Sequence, residues 1–183
     1  MMEKIISDLE KDLKDIIKGK PLKVIREELG DEVNIRMLRM IVFSLQWASV
    51  GYQSALRFAG MRFGRRLGES SERTELSLVL EEIKKVIEAL RGGKVKIEII
   101  PGLEGAEFKI YNSSLSAQVP NVLQNLCFFE EGFIEGYLDG VISRKGSIAL
   151  AGKEANITGV SCEETRCFGL GDDFCGFLIK FEL

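Results

Sequence analysis

The sequence has 183 residues, 45% of them hydrophobic and 29% charged, with only three prolines and a formal net charge of −3 at pH 7. That balance supports one well-filled core, is short for two domains, and excludes an intrinsically disordered chain. The slight acidic excess excludes a nonspecific nucleic-acid binder, which needs a basic surface.

Ile5, Ile6, Leu9, Leu13, Ile16 and Ile17 share one stripe of a first helix, which the Gly19-Lys20-Pro21 break ends. Lysines alternate with acids over residues 1–18, a pattern foreign to signal and transit peptides, so a cytoplasmic location is expected. Thiols stay reduced there, which turns cysteines toward metal, reactivity or core packing. A short helical piece is expected over residues 22–29, stopping at Gly30. Residues 36–67 read as one long helix, or as two joined near Ser49 to Gly51. The early part is apolar nearly all round, as in a central buried element. Its uncharged run, 40–56, is too short and too polar to span a bilayer, so no membrane insertion is expected. Leu76, Val79, Leu80, Ile83, Val86, Ile87 and Leu90 form the cleanest amphipathic stripe, capped by Gly92-Gly93.

The period then changes to two. Val95, Ile97 and Ile99 alternate with charged residues, and Ala106, Phe108 and Ile110 do the same beyond a Pro101-Gly102 turn, which predicts a hairpin. Pro120 suits a helix start, and residues 122–142 read as helix. Strands are expected at roughly 147–151, 156–166 and 174–182, with Cys175, Phe177, Ile179 and Phe181 on one face of the last. Helices first and antiparallel strands later predict an α+β fold.

Two ladders of glycines four apart stand out: Gly60, Gly64 and Gly68, then Gly132, Gly136 and Gly140. Each glycine costs a helix about 1 kcal/mol relative to alanine, so the ladders need a compensating reason. Close approach of another backbone supplies it, within the fold or across a dimer interface; room for a ligand is the alternative.

Cys127 and the run Glu164-x-x-Cys167-x7-Cys175, wrapped around a glycine-rich turn, offer three thiolates and a carboxylate. These ligands suit a tetrahedral zinc ion, and the chain has no histidine to substitute. Buried core cysteines are the competing reading. In a regular strand Glu164 and Cys167 face opposite sides, so joint ligation needs a strand end or bulge between them. Cys162 shares a face with Glu164 and is the substitute ligand. The aromatics Phe43, Trp47, Phe58, Phe63, Phe128, Phe133 and Tyr137 lie beside the glycines and are candidate pocket walls, with plain core as the alternative for each.

The run from Glu164 to Phe177, and Cys127-Phe-Phe-Glu-Glu-Gly132-Phe-Ile-Glu-Gly136-Tyr137 before it, closely resemble signature segments of the 4-vinyl-reductase domain family. The resemblance covers the chain from about residue 36 onward. It implies a domain like the trafficking-complex (TRAPP) subunits, with helices packed on a mostly antiparallel sheet. It further implies a homodimer formed through helices, a buried small apolar ligand, and a zinc at Cys127, Glu164, Cys167 and Cys175. Residues 31–183 are then the ligand-binding domain and 1–30 a helical extension. The segment between Cys127 and Glu164 looks longer than in the family's phenol sensors, and no histidine is present to meet a phenolic hydroxyl. An enzyme is the less favoured reading. The sequence has no Gly-x-Gly-x-x-Gly after a strand, no P-loop and no histidine for acid–base work. An assembly module is the remaining alternative, and an accessory protein of a reductase pathway is less favoured still.

Overall fold

Two helices that touch backbone to backbone set the frame for everything else. The computed structural model describes residues 2–22, 24–28, 30–48, 51–100, 105–150 and 156–183. Its helices are α1 (Met2–Ile17), α2 (Ile35–Ala48), α3 (Tyr52–Gly68), α4 (Leu76–Ala89) and α5 (Phe128–Lys145). Its strands are β1 (Lys94–Ile100), β2 (Gly105–Tyr111), β3 (Ile148–Ala149), β4 (Asn156–Ile157), β5 (Gly159–Arg166) and β6 (Cys175–Glu182). The main sheet is antiparallel in the order β1-β2-β6-β5, with β3 and β4 a separate short pair. This is the expected α+β architecture.

The glycine ladders join α3 to α5 within one chain. A Cβ placed on Gly60 would collide with the Phe129 carbonyl, on Gly64 with that of Phe133, and on Gly68 with that of Tyr137. In return, Gly132, Gly136 and Gly140 sit on the carbonyls of Arg57, Met61 and Arg65. Contacts that advance along both helices together mean that the two run parallel. Covered in this way, these glycines face a neighbour in their own chain rather than a partner subunit.

Alternation decides the rest of the core. Ala106, Phe108 and Ile110 of β2 and Cys175, Phe177 and Ile179 of β6 are all buried on one sheet face, against Ile134, Leu138 and Val141 of α5. The α4 stripe closes the opposite side of the core, joined by Leu13 and Ile16 of α1. Strand β5 is a sheet edge, and α5 covers its free amides. The Cys162 and Glu164 N–H groups donate to the Glu135 and Glu131 carboxylates at 2.9 and 3.3 Å. Arg57 of α3 neutralises both acids, at 2.5 Å to Glu131 and 2.7 Å to Glu135.

Three sequence expectations are corrected. The apolar α2 is not a central buried element: Met37, Met40, Ile41 and Leu45 are each about half exposed, and α5 takes the centre instead. A helix cannot bury all its faces when it lies at the edge of its own fold. Residues 22–28 are not helical where described, because the Asp31 carboxylate takes the N–H groups of Ile25 and Arg26 into a loop. Helix α5 begins at Phe128, not near 122, since Val122 and Gln124 donate instead to the Gly169 carbonyl. The two-helix option for 36–67 is the one realised, with Gly51 in the left-handed region at φ 94°. Lys23, Leu29, Ser49, the Pro101-Gly102 turn and Ala151 lie outside the described residues.

Candidate metal centre and adjoining groove

The turn between β5 and β6 brings the acid and the thiols together. The β5–β6 register runs from Glu164 opposite Phe177 to Arg166 opposite Gly176, leaving Thr165 as an extra residue. That bulge turns Cys167 back to the side of Glu164, which a regular strand forbids. A short 3-10 turn, Phe168–Leu170, follows and ends at Gly171 with φ 94°. The Asp172 carboxylate accepts the Cys167 N–H at 3.0 Å and fixes the turn. Gly169 has no room for a side chain, because a Cβ there would lie 2.8 Å from Leu126 Cγ. Its carbonyl accepts the Val122 N–H at 2.8 Å, docking residues 122–126 on the turn and delivering Cys127 as the N-cap of α5.

Cys127, Glu164, Cys167 and Cys175 are all buried, and one side-chain donor atom from each lies within 4.8 Å of the others. The Cys127 and Cys175 sulfurs are 3.0 Å apart. Glu164 is held on three sides: Glu131 takes its N–H, Asn125 donates to its carbonyl at 2.8 Å, and the Cys127 N–H donates to its Oε2 at 3.1 Å. Its Oε1 is buried with no hydrogen-bond partner among the described residues. A buried carboxylate oxygen left unpaired is costly, and three sulfurs beside it make a donor set that a borderline-soft divalent cation satisfies. The four residues are therefore positioned to hold a metal ion.

Hydrogen bonding divides the protons unevenly. Hydrogen bonds from Cys127, Cys167 and Ser116 pull the Cys175 thiol down to about 5. Cys127 gives its hydrogen bonds to the other two thiols and is buried, so it is pushed well above the ordinary thiol value. Burial, reinforced by the neighbouring Cys167, pushes the Glu164 carboxyl up to about 9. Without metal the cluster thus keeps a thiolate at Cys175 and a neutral Glu164. The positive end of α5, where Cys127 caps the helix, favours that thiolate.

Sequence reasoning missed Ser116, whose setting in Asn112-Ser113-Ser114-Leu115 reads as an ordinary loop. Its hydroxyl is fully buried, 3.0 Å from the Cys175 sulfur and 3.4 Å from that of Cys127. Arg166 lies over the Phe174 ring and 3.9 Å from Asp172. Cys162 stays apart from the cluster, buried one turn of pleat away on β5.

The seven aromatic candidates are not gathered into one chamber. Phe63, Phe133 and Tyr137 pack along the α3–α5 seam, with Phe133 and Tyr137 buried in the core. Phe58 is about half exposed beneath the Arg62 guanidinium, Phe128 is half-buried, and the Trp47 side chain lies outside the described residues. Phe43 lines a groove of about 560 Å³ between α2 and residues 118–126, with Met40, Val119, Val122 and Leu126. Among the described residues no helix is long and apolar enough to cross a membrane.

No family model matches the sequence. Two uncharacterized proteins of Methanocaldococcus jannaschii are similar to it. One is 26% identical over 175 residues, covering 95% of this chain and 89% of that protein. The other is 27% identical over 157 residues, covering 84% and 81%. Among solved structures, a vinyl-4-reductase family protein from M. jannaschii matches with a TM-score of 0.56 at 17% identity, covering 100% of this chain and 98% of that one. The phenol-responsive sensory domain of the transcription activator PoxR, solved with phenol, matches at 0.58 and 16%, covering 93% and 89%. A trafficking protein particle complex subunit 3 from Naegleria fowleri, covalently bound to palmitic acid, matches at 0.55 and 18%, covering 82% and 96%. The chain has the 4-vinyl-reductase-like α+β fold that these three structures share.

Proposed function

We propose that residues 31–183 form a ligand-binding domain for a small apolar molecule, stabilised by a structural zinc ion, with residues 1–30 as a helical extension. The observation that carries this reading is the buried cluster of Cys127, Glu164, Cys167 and Cys175, whose one unpartnered carboxylate oxygen and three sulfurs suit a cation. Zinc suits three sulfurs and a carboxylate, and four protein ligands close its tetrahedral shell. The ion would tie the ends of β5 and β6 to the start of α5. Formal counting leaves about two negative charges on such a centre. The Cys127 N–H, the Ser116 hydroxyl and the positive end of α5 stand ready to offset part of that. The groove beside Leu126 is the binding site in this reading, and the phenol and palmitic acid in two structures of the same fold support an apolar occupant. A cytoplasmic location keeps the thiols available to metal.

The test is metal content per chain, measured by elemental mass spectrometry on untagged protein purified without chelator. About one zinc per chain is expected, lost in Cys167→Ser and Cys175→Ser while far-ultraviolet circular dichroism is retained at low temperature. Metal-free, well-folded wild-type protein would sink the zinc centre.

A second reading, an assembly module that forms a homodimer through its helices, is favoured by one observation. Met37, Met40, Ile41 and Leu45 leave α2 with an exposed apolar surface of the kind that marks an interface.

A further inference from the structure

We propose that the groove along α2 takes a free single-tailed amphiphile with a carboxylate head. Arg36 and Arg39 hold the head, and the tail lies between Phe43 and Leu126. The inference rests on the small-molecule reading above and adds the chemistry of the ligand's polar end.

Along α2 the lining residues change from cationic to apolar. Arg36, Arg39, Met40 and Phe43 follow the three- and four-residue spacing that puts side chains on one helical face. Among the described residues, Arg36 and Arg39 are the only charged ones lining the groove, and neither joins an ion pair. Arg39 is half-buried and pinned, with Nε donating to the Ser114 carbonyl at 3.0 Å and Nη2 to that of Ala117 at 2.7 Å. Those carbonyls orient the guanidinium without neutralising it, so its desolvation lacks a counter-charge. Nη1 remains for an incoming anion, and two guanidiniums one turn apart suit a planar carboxylate. Both lie in the first turns of α2, where the helix's positive end adds to the attraction.

Beyond the arginines the walls are Met40 and Phe43 on one side and Val119, Val122 and Leu126 on the other. The volume of about 560 Å³ lies within the roughly 300–1,000 Å³ of small-molecule pockets. Leu126 immediately precedes Cys127, so the tail end of the groove meets the segment that carries a metal ligand.

The experiment is titration calorimetry of the full chain with decanoate and with decanol, both below their aggregation limits. Decanoate is expected to bind at least about tenfold more tightly than decanol. Arg36→Ala, a change at an exposed residue, should remove most of that difference while decanol binding stays the same, and Arg36→Lys should keep part of it. Equal affinities for the two probes would overturn the head-group assignment and leave the apolar groove standing. Binding of neither would overturn both. Co-sedimentation with phosphatidylglycerol–phosphatidylcholine vesicles, without affinity for free decanoate, would transfer the anion to a membrane surface and overturn the proposal as well.

Discussion

At the scale of single residues, the cluster sets two titrations against each other. Cys175 titrates near 5 in the folded protein instead of 9, so its contribution to stability is lost as pH falls toward 5. Glu164 titrates near 9 instead of 4.5, so its contribution is lost as pH rises toward 9. Between these limits the folded state binds one proton fewer than the unfolded state at the thiol and one more at the carboxyl, and the two slopes oppose each other. The melting temperature of metal-free protein should therefore change little between pH 5.5 and 8.5 on account of this pair. Removing one member exposes the other. Relative to wild type, Cys175→Ser should melt progressively lower as pH rises across that window, and Glu164→Gln progressively higher. Parallel profiles for all three proteins would mean that the pair does not share its protons in this way. The bulge at Thr165 matters at the same scale, since one extra residue decides whether Glu164 and Cys167 face each other or opposite sides.

At the scale of elements, the parallel α3–α5 pair needs explaining, because side-by-side helix dipoles in the same direction repel. Contact through glycine offsets this by letting each backbone reach the other's carbonyls, where Cα–H···O contacts and dense packing become available. Intrinsic propensity says that Gly64→Ala or Gly136→Ala should stabilise the fold by about 1 kcal/mol. The collision with the Phe133 or Met61 carbonyl says the opposite, and it should win, because backbone cannot yield as a side chain tip can. A net loss of roughly 2 kcal/mol is expected, which for a chain of this size lowers the melting temperature by roughly 4–8 °C. An unchanged or raised melting temperature in calorimetry would show that the helices are not so tightly apposed. Arg57 extends this seam to the metal centre. It holds Glu131 and Glu135, which in turn hold the β5 amides on which Glu164 sits.

At the scale of the whole molecule, α5 brings its N-terminus to the cluster and seals the sheet edge beside it. The other prominent feature is α2, with large apolar side chains turned outward on several faces. The double variant Ile41→Glu/Leu45→Glu separates the assembly reading from a free surface. In sedimentation velocity the wild type should run as a dimer and the variant as a monomer with unchanged circular dichroism. A monomeric wild type at micromolar concentration would remove α2 as an assembly face.

The sequence by itself determined most of the helices and strands and singled out the four side chains that the fold gathers. The switch of period near residue 94 separates helices from hairpin, and the alternation through Cys175, Phe177, Ile179 and Phe181 fixes the buried face of β6. Thiol and carboxylate chemistry singled out Cys127, Glu164, Cys167 and Cys175 because few other groupings suit a metal. Local patterns of this kind are legible because side-chain direction repeats with the backbone period. Tertiary structure alone decided the rest. It placed the apolar α2 at the edge and α5 at the centre, since hydrophobicity records a need for burial and not the partner that meets it. It turned the glycine ladders inward on each other and put Ser116 against two thiols from a loop with no motif. It also set Arg39 on the Ser114 and Ala117 carbonyls and, among the described residues, left it and Arg36 without acidic partners, because pairing across 75 residues and more is set by how the chain folds back, not by spacing along it.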